Sequence, residues 1–197
     1  MPRRILVLIA HPDPEPERLC RRLANAYVEG AHSAGHNIRV RDLARIEFPL
    51  LRTAEEFSSG KVPAELKDAA EDLKWAEHIL IIFPLWLGTM PALLKAFLEQ
   101  VMRPGVAFAY PEAGEKGLPK KLLKGRSAHV VVTMGMPSFL YRLWYRSHGL
   151  AGLRRSILNF VGISPVRETL LGNVSGTSDD TRRKWIEKMR GLGAQAS

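Results

Sequence analysis

The sequence predicts a doubly wound α/β fold, a five-stranded parallel sheet held between two layers of helices, as one domain over residues 1–197. Two observations predict it. Short Val- and Ile-rich apolar runs recur along the chain, and stretches with helical apolar spacing lie between them. At 197 residues and 46% hydrophobic, the chain can bury one core of ordinary size but is short for two.

Residues 5–10, 78–83 and 128–133 are short, dominated by aliphatic side chains, and read as fully buried parallel strands. A weaker strand at 37–43 follows Gly35, a suitable helix C-cap, and a last one covers 166–171. Three sets of residues line helical faces between them: Leu19, Leu23, Ala26 and Tyr27; Leu66, Ala69, Ala70 and Leu73; and Leu93, Leu94, Phe97, Leu98 and Val101. Residues 178–192 form a closing amphipathic segment. No repeat or low-complexity tract interrupts this order, and residues 104–124 read as one long functional loop.

Composition narrows the function. Cys20 is the single cysteine, which excludes an internal disulfide framework and thiolate zinc spacing and points to a reducing cytoplasm. Two arginines precede the first apolar run, but that run stops at His11, too short for a signal peptide or a membrane span, so an integral membrane protein is not expected. The net charge of +9 favours acidic or phosphorylated partners. Nucleic acid is disfavoured because the basic residues are dispersed and no nucleic-acid-binding motif accompanies them.

In a doubly wound sheet, ligands bind beyond the carboxyl ends of the strands, so the segments after each strand carry the chemistry. After the first comes His11-Pro12-Asp13-Pro14-Glu15-Pro16-Glu17-Arg18 and a helix, an arrangement in which helix amides cradle a phosphate, without the glycine fingerprint of a Rossmann domain or a P-loop. After the third comes Pro84-Leu85-Trp86-Leu87-Gly88-Thr89-Met90-Pro91, a proline-bounded apolar loop offering backbone groups to the edge and face of a flat heteroaromatic ring. After the fourth comes Thr133-Met134-Gly135-Met136-Pro137, where Gly135 permits close approach of a ligand. Tyr141, Tyr145 and His148 follow on a helical stretch and supply hydroxyl and imidazole groups.

These segments resemble the flavodoxin-like NAD(P)H:quinone oxidoreductases, including the modulator-of-drug-activity B type and the potassium-efflux ancillary proteins. The resemblance runs from Ile5 to about Gly172 and is most specific in F-P-L-W-x-G-x-x-P-A-x-L-K followed by F-A-Y. It implies an FMN or FAD cofactor, with the ring against Pro84, Leu85, Trp86, Leu87 and Gly88 and against Thr133, Met134, Gly135 and Met136. It also implies Tyr141 and His148 as groups assisting hydride transfer, and His11 and Arg18 as phosphate ligands. The implied reaction is two-electron reduction of a quinone by NAD(P)H in ping-pong fashion, and the basic surface favours NADPH.

In the family that the chain resembles, Ser usually stands in the place of Glu17 and Asn in the place of Cys20, so this phosphate loop departs from the pattern. A carboxylate there repels a phosphate unless it turns outward or pairs with Arg18, Arg21 or Arg22. That departure keeps a rival reading open: a regulatory protein of the potassium-efflux ancillary type, docking to an acidic protein partner with weakened flavin binding. The resemblance further implies a homodimer, and Trp144, Tyr145 and Phe160 supply aromatic surface for it. His129 is expected to be packed in its strand, His32 and His36 to bind no metal, and Arg182-Arg183-Lys184 to be the solvated face of the last helix.

Overall fold

The computed structural model describes residues 1–111 and 117–197. Its strands are β1 (Arg4–Ile9), β2 (Asn37–Asp42), β3 (His78–Pro84), β4 (Phe108–Ala109), β5 (Lys120–Lys121), β6 (Ser127–Thr133) and β7 (Val166–Leu171). Five of them form one all-parallel sheet in the order β2-β1-β3-β6-β7. The chain builds outward from β1 to β2 and then crosses back to β3, so strand order reverses at β1 and β3. Their carboxyl ends open the crevice in which doubly wound sheets hold ligands.

The helices are α1 (Leu19–Ser33), α2 (Ala54–Ser58), α3 (Lys67–Trp75), α4 (Ala92–Val101), α5 (Ser138–Leu143), α6 (His148–Gly152), α7 (Asn159–Val161) and α8 (Asp179–Gln195). A π-helical stretch, Leu153–Leu158, joins α6 to α7. Alternation along each strand divides the core. Ile5, Val7, Ile9, Leu80, Ile82, Val131 and Leu171 pack against Leu23 and Tyr27 of α1 and Met189 of α8. Leu6, Leu8, Ile79, Ile81, Phe83, Val130 and Val132 pack against Leu73, Leu94, Phe97 and Val101 of α3 and α4.

Two glycines set the closeness of α1 and α8. A Cβ on Gly30 would lie 1.9 Å from the Arg190 carbonyl oxygen, and one on Gly193 would lie 2.0 Å from that of Tyr27. Neither helix accepts a larger residue at its crossing without moving apart. The exposed edge strand β2 is charged rather than apolar, which discourages edge pairing. Its Arg39 and Arg41 reach the buried Asp72 carboxylate at 2.7 and 2.6 Å.

The large sheet follows the sequence reading within one residue at most strand ends. The 104–124 segment does not stay irregular: Phe108–Ala109 and Lys120–Lys121 pair as an antiparallel ribbon, while residues 112–116 fall outside the described part of the chain. His129 is buried and its Nε2 meets Thr169 Oγ1 at 2.9 Å, and His36 accepts from the Arg3 amide, so both serve the packing of the fold. No described helix is long and apolar enough to cross a membrane.

Candidate functional site

The first wall of the crevice is the loop between β1 and α1. Its shape is set by Arg21, 5% exposed, whose guanidinium donates to the Asp13 carbonyl at 3.0 and 3.2 Å and to the Asp42 carboxylate at the end of β2. The Asp13 amide donates to His11 Nδ1 at 3.1 Å. That bond requires Nδ1 to be unprotonated, so the neutral ring carries its proton on Nε2. Burial lowers the His11 pKa, with Arg18 and Arg21 lowering it further against the opposing pull of Asp13, which keeps this tautomer neutral.

Arg18 donates through Nε to Asp13 at 2.7 Å, leaving part of its guanidinium half exposed on the loop. The Asp13 carboxyl is held below its usual value, first by the Glu15 amide and then by Arg18. Cys20 lies at the floor, buried, with Sγ 3.2 Å from Thr133 Oγ1, and burial pushes its thiol up to about 11. It is therefore a neutral, packed thiol.

The second wall follows β3. Trp86 and Thr89 exchange backbone hydrogen bonds of 3.0 Å each way, closing a two-residue turn with Leu87 at φ 48° and Gly88 at φ 80°. Two consecutive positive φ values define a type I′ turn, which suits Gly at the second position and strains a leucine at the first. The Leu87 side chain is fully exposed at the tip. The Trp86 indole meets the His11 ring edge to face at 6.2 Å, joining the two walls.

Behind the turn lies Tyr141, completely buried. Its hydroxyl donates to the Gly88 carbonyl at 3.1 Å and accepts from the Leu150 amide at 3.2 Å, in the first turn of α6. Gly149 makes the approach possible, because a Cβ there would lie 2.3 Å from the same Gly88 oxygen. Arg146 and Ser147, at φ 47° and 51°, break the helical stretch before α6, so that His148 begins a new helix.

These walls enclose two adjoining cavities. One, about 360 Å³, is lined by His11, Glu17, Arg18, Arg22, Thr133 and Arg182 together with Pro84 and Trp86. The other, about 650 Å³, is lined by Leu87, Gly88, Met136, Trp144, Tyr145 and His148. Leu85, Met134 and Gly135 border both, which makes one trough with a cationic end and an apolar end. A Cβ placed on Gly135 meets nothing within 4 Å, so packing does not demand glycine there and the space above the backbone is open to a ligand.

Every anticipated cofactor-contact residue, from His11 and Arg18 through Pro84, Leu85, Trp86, Leu87, Gly88, Thr133, Met134, Gly135 and Met136, borders this trough. His148 borders it as well. Tyr141 does not: its ring is internal and its hydroxyl is committed to the backbone of the turn and of α6. Tyr145, past the end of α5 and stacked on the Tyr141 ring at 6.2 Å, borders the apolar end instead. The arginine run of α8 also divides. Arg183 and Lys184 pair with Asp180, whereas Arg182, which pairs with Asp179 at 3.7 Å and donates to the Val174 carbonyl, borders the cationic end.

The sequence matches the family described as having a flavodoxin-like fold over residues 3–192, and the chain belongs to that family. An uncharacterized NAD(P)H oxidoreductase of Haemophilus influenzae is 28% identical over 186 residues, covering 92% of this chain and 90% of that one. An FMN-dependent NADH:quinone oxidoreductase of Pseudomonas fluorescens is 29% identical, covering 82% and 83%. The solved structure of an NAD(P)H:quinone oxidoreductase from Methanothermobacter marburgensis superposes with a TM-score of 0.79 over the whole of both chains at 23% identity, a likeness of fold.

Proposed function

We propose that the protein is an FMN-dependent NAD(P)H:quinone oxidoreductase whose flavin lies along the trough at the carboxyl ends of β1, β3 and β6. The observation that carries this reading is the trough's polarity: Arg18, Arg22, Arg182 and the His11 Nε2 proton at one end, apolar side chains and turn backbone at the other. A phosphorylated ribityl chain suits the first end and a planar tricyclic ring the second. Glu17 is exposed and opposes the phosphate; of the guanidiniums lining this end, Arg18 pairs with Asp13 and Arg182 with Asp179, while Arg22 has no carboxylate partner among the described residues. The names of the curated relatives favour FMN over FAD.

When bound, the flavin supplies two-electron hydride chemistry between a nicotinamide and a quinone. The protein's own residues do the rest. Tyr141 and Gly149 hold the type I′ turn so that Trp86, Leu87 and Gly88 form a rigid edge for the ring. The His148 imidazole and the Tyr145 hydroxyl border the place where substrates stack and can donate hydrogen bonds to charge developing there. Tyr141 acts as a positioning residue. Because the apolar end is a single open recess, nicotinamide and quinone occupy it in turn, the arrangement that ping-pong turnover requires. The overall charge of +9 favours NADPH over NADH.

Leu87 and Trp144 are exposed and border the apolar end, and Phe139 and Leu143 of α5 are exposed as well. A second copy of the chain covering these side chains fits the homodimer anticipated above. The rival regulatory reading draws on Glu17 alone. Titration with FMN separates the two: near-stoichiometric binding, weakened more than tenfold by Arg182→Glu, supports the cofactor site. Failure of the purified protein to take up added FMN overturns it.

A further inference from the structure

At the opposite end of the sheet, where β3, β6 and β7 begin, a separate cavity of about 440 Å³ is lined by Arg3, Arg126, Arg167, His78, Ser127 and Ser164, among others. Among the described residues, none of these three guanidiniums has a carboxylate partner. Arg3 donates to the Ala196 and Glu77 carbonyls and to Ser127 Oγ. Arg126 donates to the carbonyls of Leu73, Lys124 and Lys74. Of the neighbouring side-chain carboxylates, Glu77 pairs with Arg4 and Glu168 with Arg154, and Ser197, the last residue of the sequence, also borders the cavity.

His78, only 2% exposed, stands in the wall of this cavity. Its Nδ1 lies 2.8 Å from Ser127 Oγ. That hydroxyl also accepts from Arg3 at 3.2 Å. Nε2 is buried and has no hydrogen-bond partner. Burial first, then the nearby Arg3, lowers the His78 pKa to about 3, so the ring stays neutral. Three guanidiniums without a carboxylate partner around one cavity favour an anion as its occupant.

We propose that this cavity is a second, oxyanion-binding site, which takes inorganic phosphate or the phosphate group of a small ester, with Arg3 and Arg167 as its donors and the His78 ring in its wall. It lies at the end of the strands remote from the flavin trough and shares no residue with it. Its occupancy therefore does not depend on the proposed flavin chemistry.

The test is a titration of the FMN-saturated protein, followed through the imidazole ¹⁵N resonances at constant ionic strength with chloride as the control salt. FMN saturation keeps added phosphate out of the flavin trough, and if FMN does not bind, the same resonances still separate the two cavities. Inorganic phosphate and ribose 5-phosphate are titrated separately. The expected result is a saturable shift of His78 with His11 and His148 unmoved, and the tighter of the two probes identifies free phosphate or an ester as the class bound. Arg167→Gln, a substitution at an exposed side chain, should weaken the binding about tenfold without altering the fold. No shift of His78 with either probe, or the same shift with chloride, overturns the proposal, as does unchanged affinity in Arg167→Gln.

Discussion

Replacing Tyr141 by phenylalanine separates a group that holds the site from one that acts in it. The hydroxyl is fully buried and makes two backbone hydrogen bonds, to the Gly88 carbonyl at 3.1 Å and from the Leu150 amide at 3.2 Å. Its loss leaves both partners without a bond, and α6 has no side-chain cap to satisfy the amide instead. Each orphaned buried group costs about 1–3 kcal/mol, and the Gly88 carbonyl, at the rim of the trough, recovers part of this from water. The net expectation is about 2 kcal/mol, or a fall of roughly 4–8 °C in Tm for a chain of this length. Thermal and urea unfolding measure it directly. Flavin binding should weaken a few-fold as the turn loosens, while stopped-flow reduction of the bound flavin keeps its rate. In Tyr145→Phe and His148→Gln the pattern should invert, with slower reduction and little change in Tm. An unchanged Tm in Tyr141→Phe, together with a hundredfold slower reduction, would refute the positioning role and return Tyr141 to the chemistry.

Three further outcomes follow from the geometry. Gly193→Ala puts a Cβ 2.0 Å from the Tyr27 carbonyl and should cost about 3 kcal/mol or more by forcing α1 and α8 apart, measurable by urea unfolding. Glu17→Ser removes an exposed carboxylate from the cationic end and should tighten FMN binding about fivefold, an effect of about 1 kcal/mol that shrinks as salt is added. His78 has a folded pKa of about 3 against an ordinary value of 6.5, so its contribution to stability is complete above pH 6.5 and is lost as pH falls toward 3. At about 1.4 kcal/mol per pH unit, the wild type should lose roughly 3 kcal/mol between pH 6.5 and 4.5 in a phosphate-free buffer, and His78→Leu should flatten that slope.

The sheet was legible because buried parallel strands must be short and apolar throughout, as in residues 78–83 and 128–133. The ribbon of Phe108–Ala109 with Lys120–Lys121 was not, since two-residue strands carry no period. The turn at 86–89 announced itself through Gly88 and its flanking prolines, but the positive φ at Leu87 runs against residue preference and is imposed by tertiary contact. At Tyr141 and Tyr145, spacing from the Thr133 segment could not decide which ring is internal. That depended on a helix break at Arg146 and Ser147, two residues without a helix-breaking signature. Arg182 was hidden in a run of three basic residues, because only the start of α8 fixes which of them faces the crevice.

The central claim is that the trough binds FMN and uses it to reduce quinones. Its most direct test is NAD(P)H oxidation by the FMN-saturated protein with and without a soluble benzoquinone, after free flavin has been removed. The account predicts protein that stays yellow and oxidises the nicotinamide in a quinone-dependent manner, with parallel-line kinetics in the two substrates. Protein that loses its colour on desalting, or that holds FMN yet shows no quinone-dependent oxidation, would contradict it.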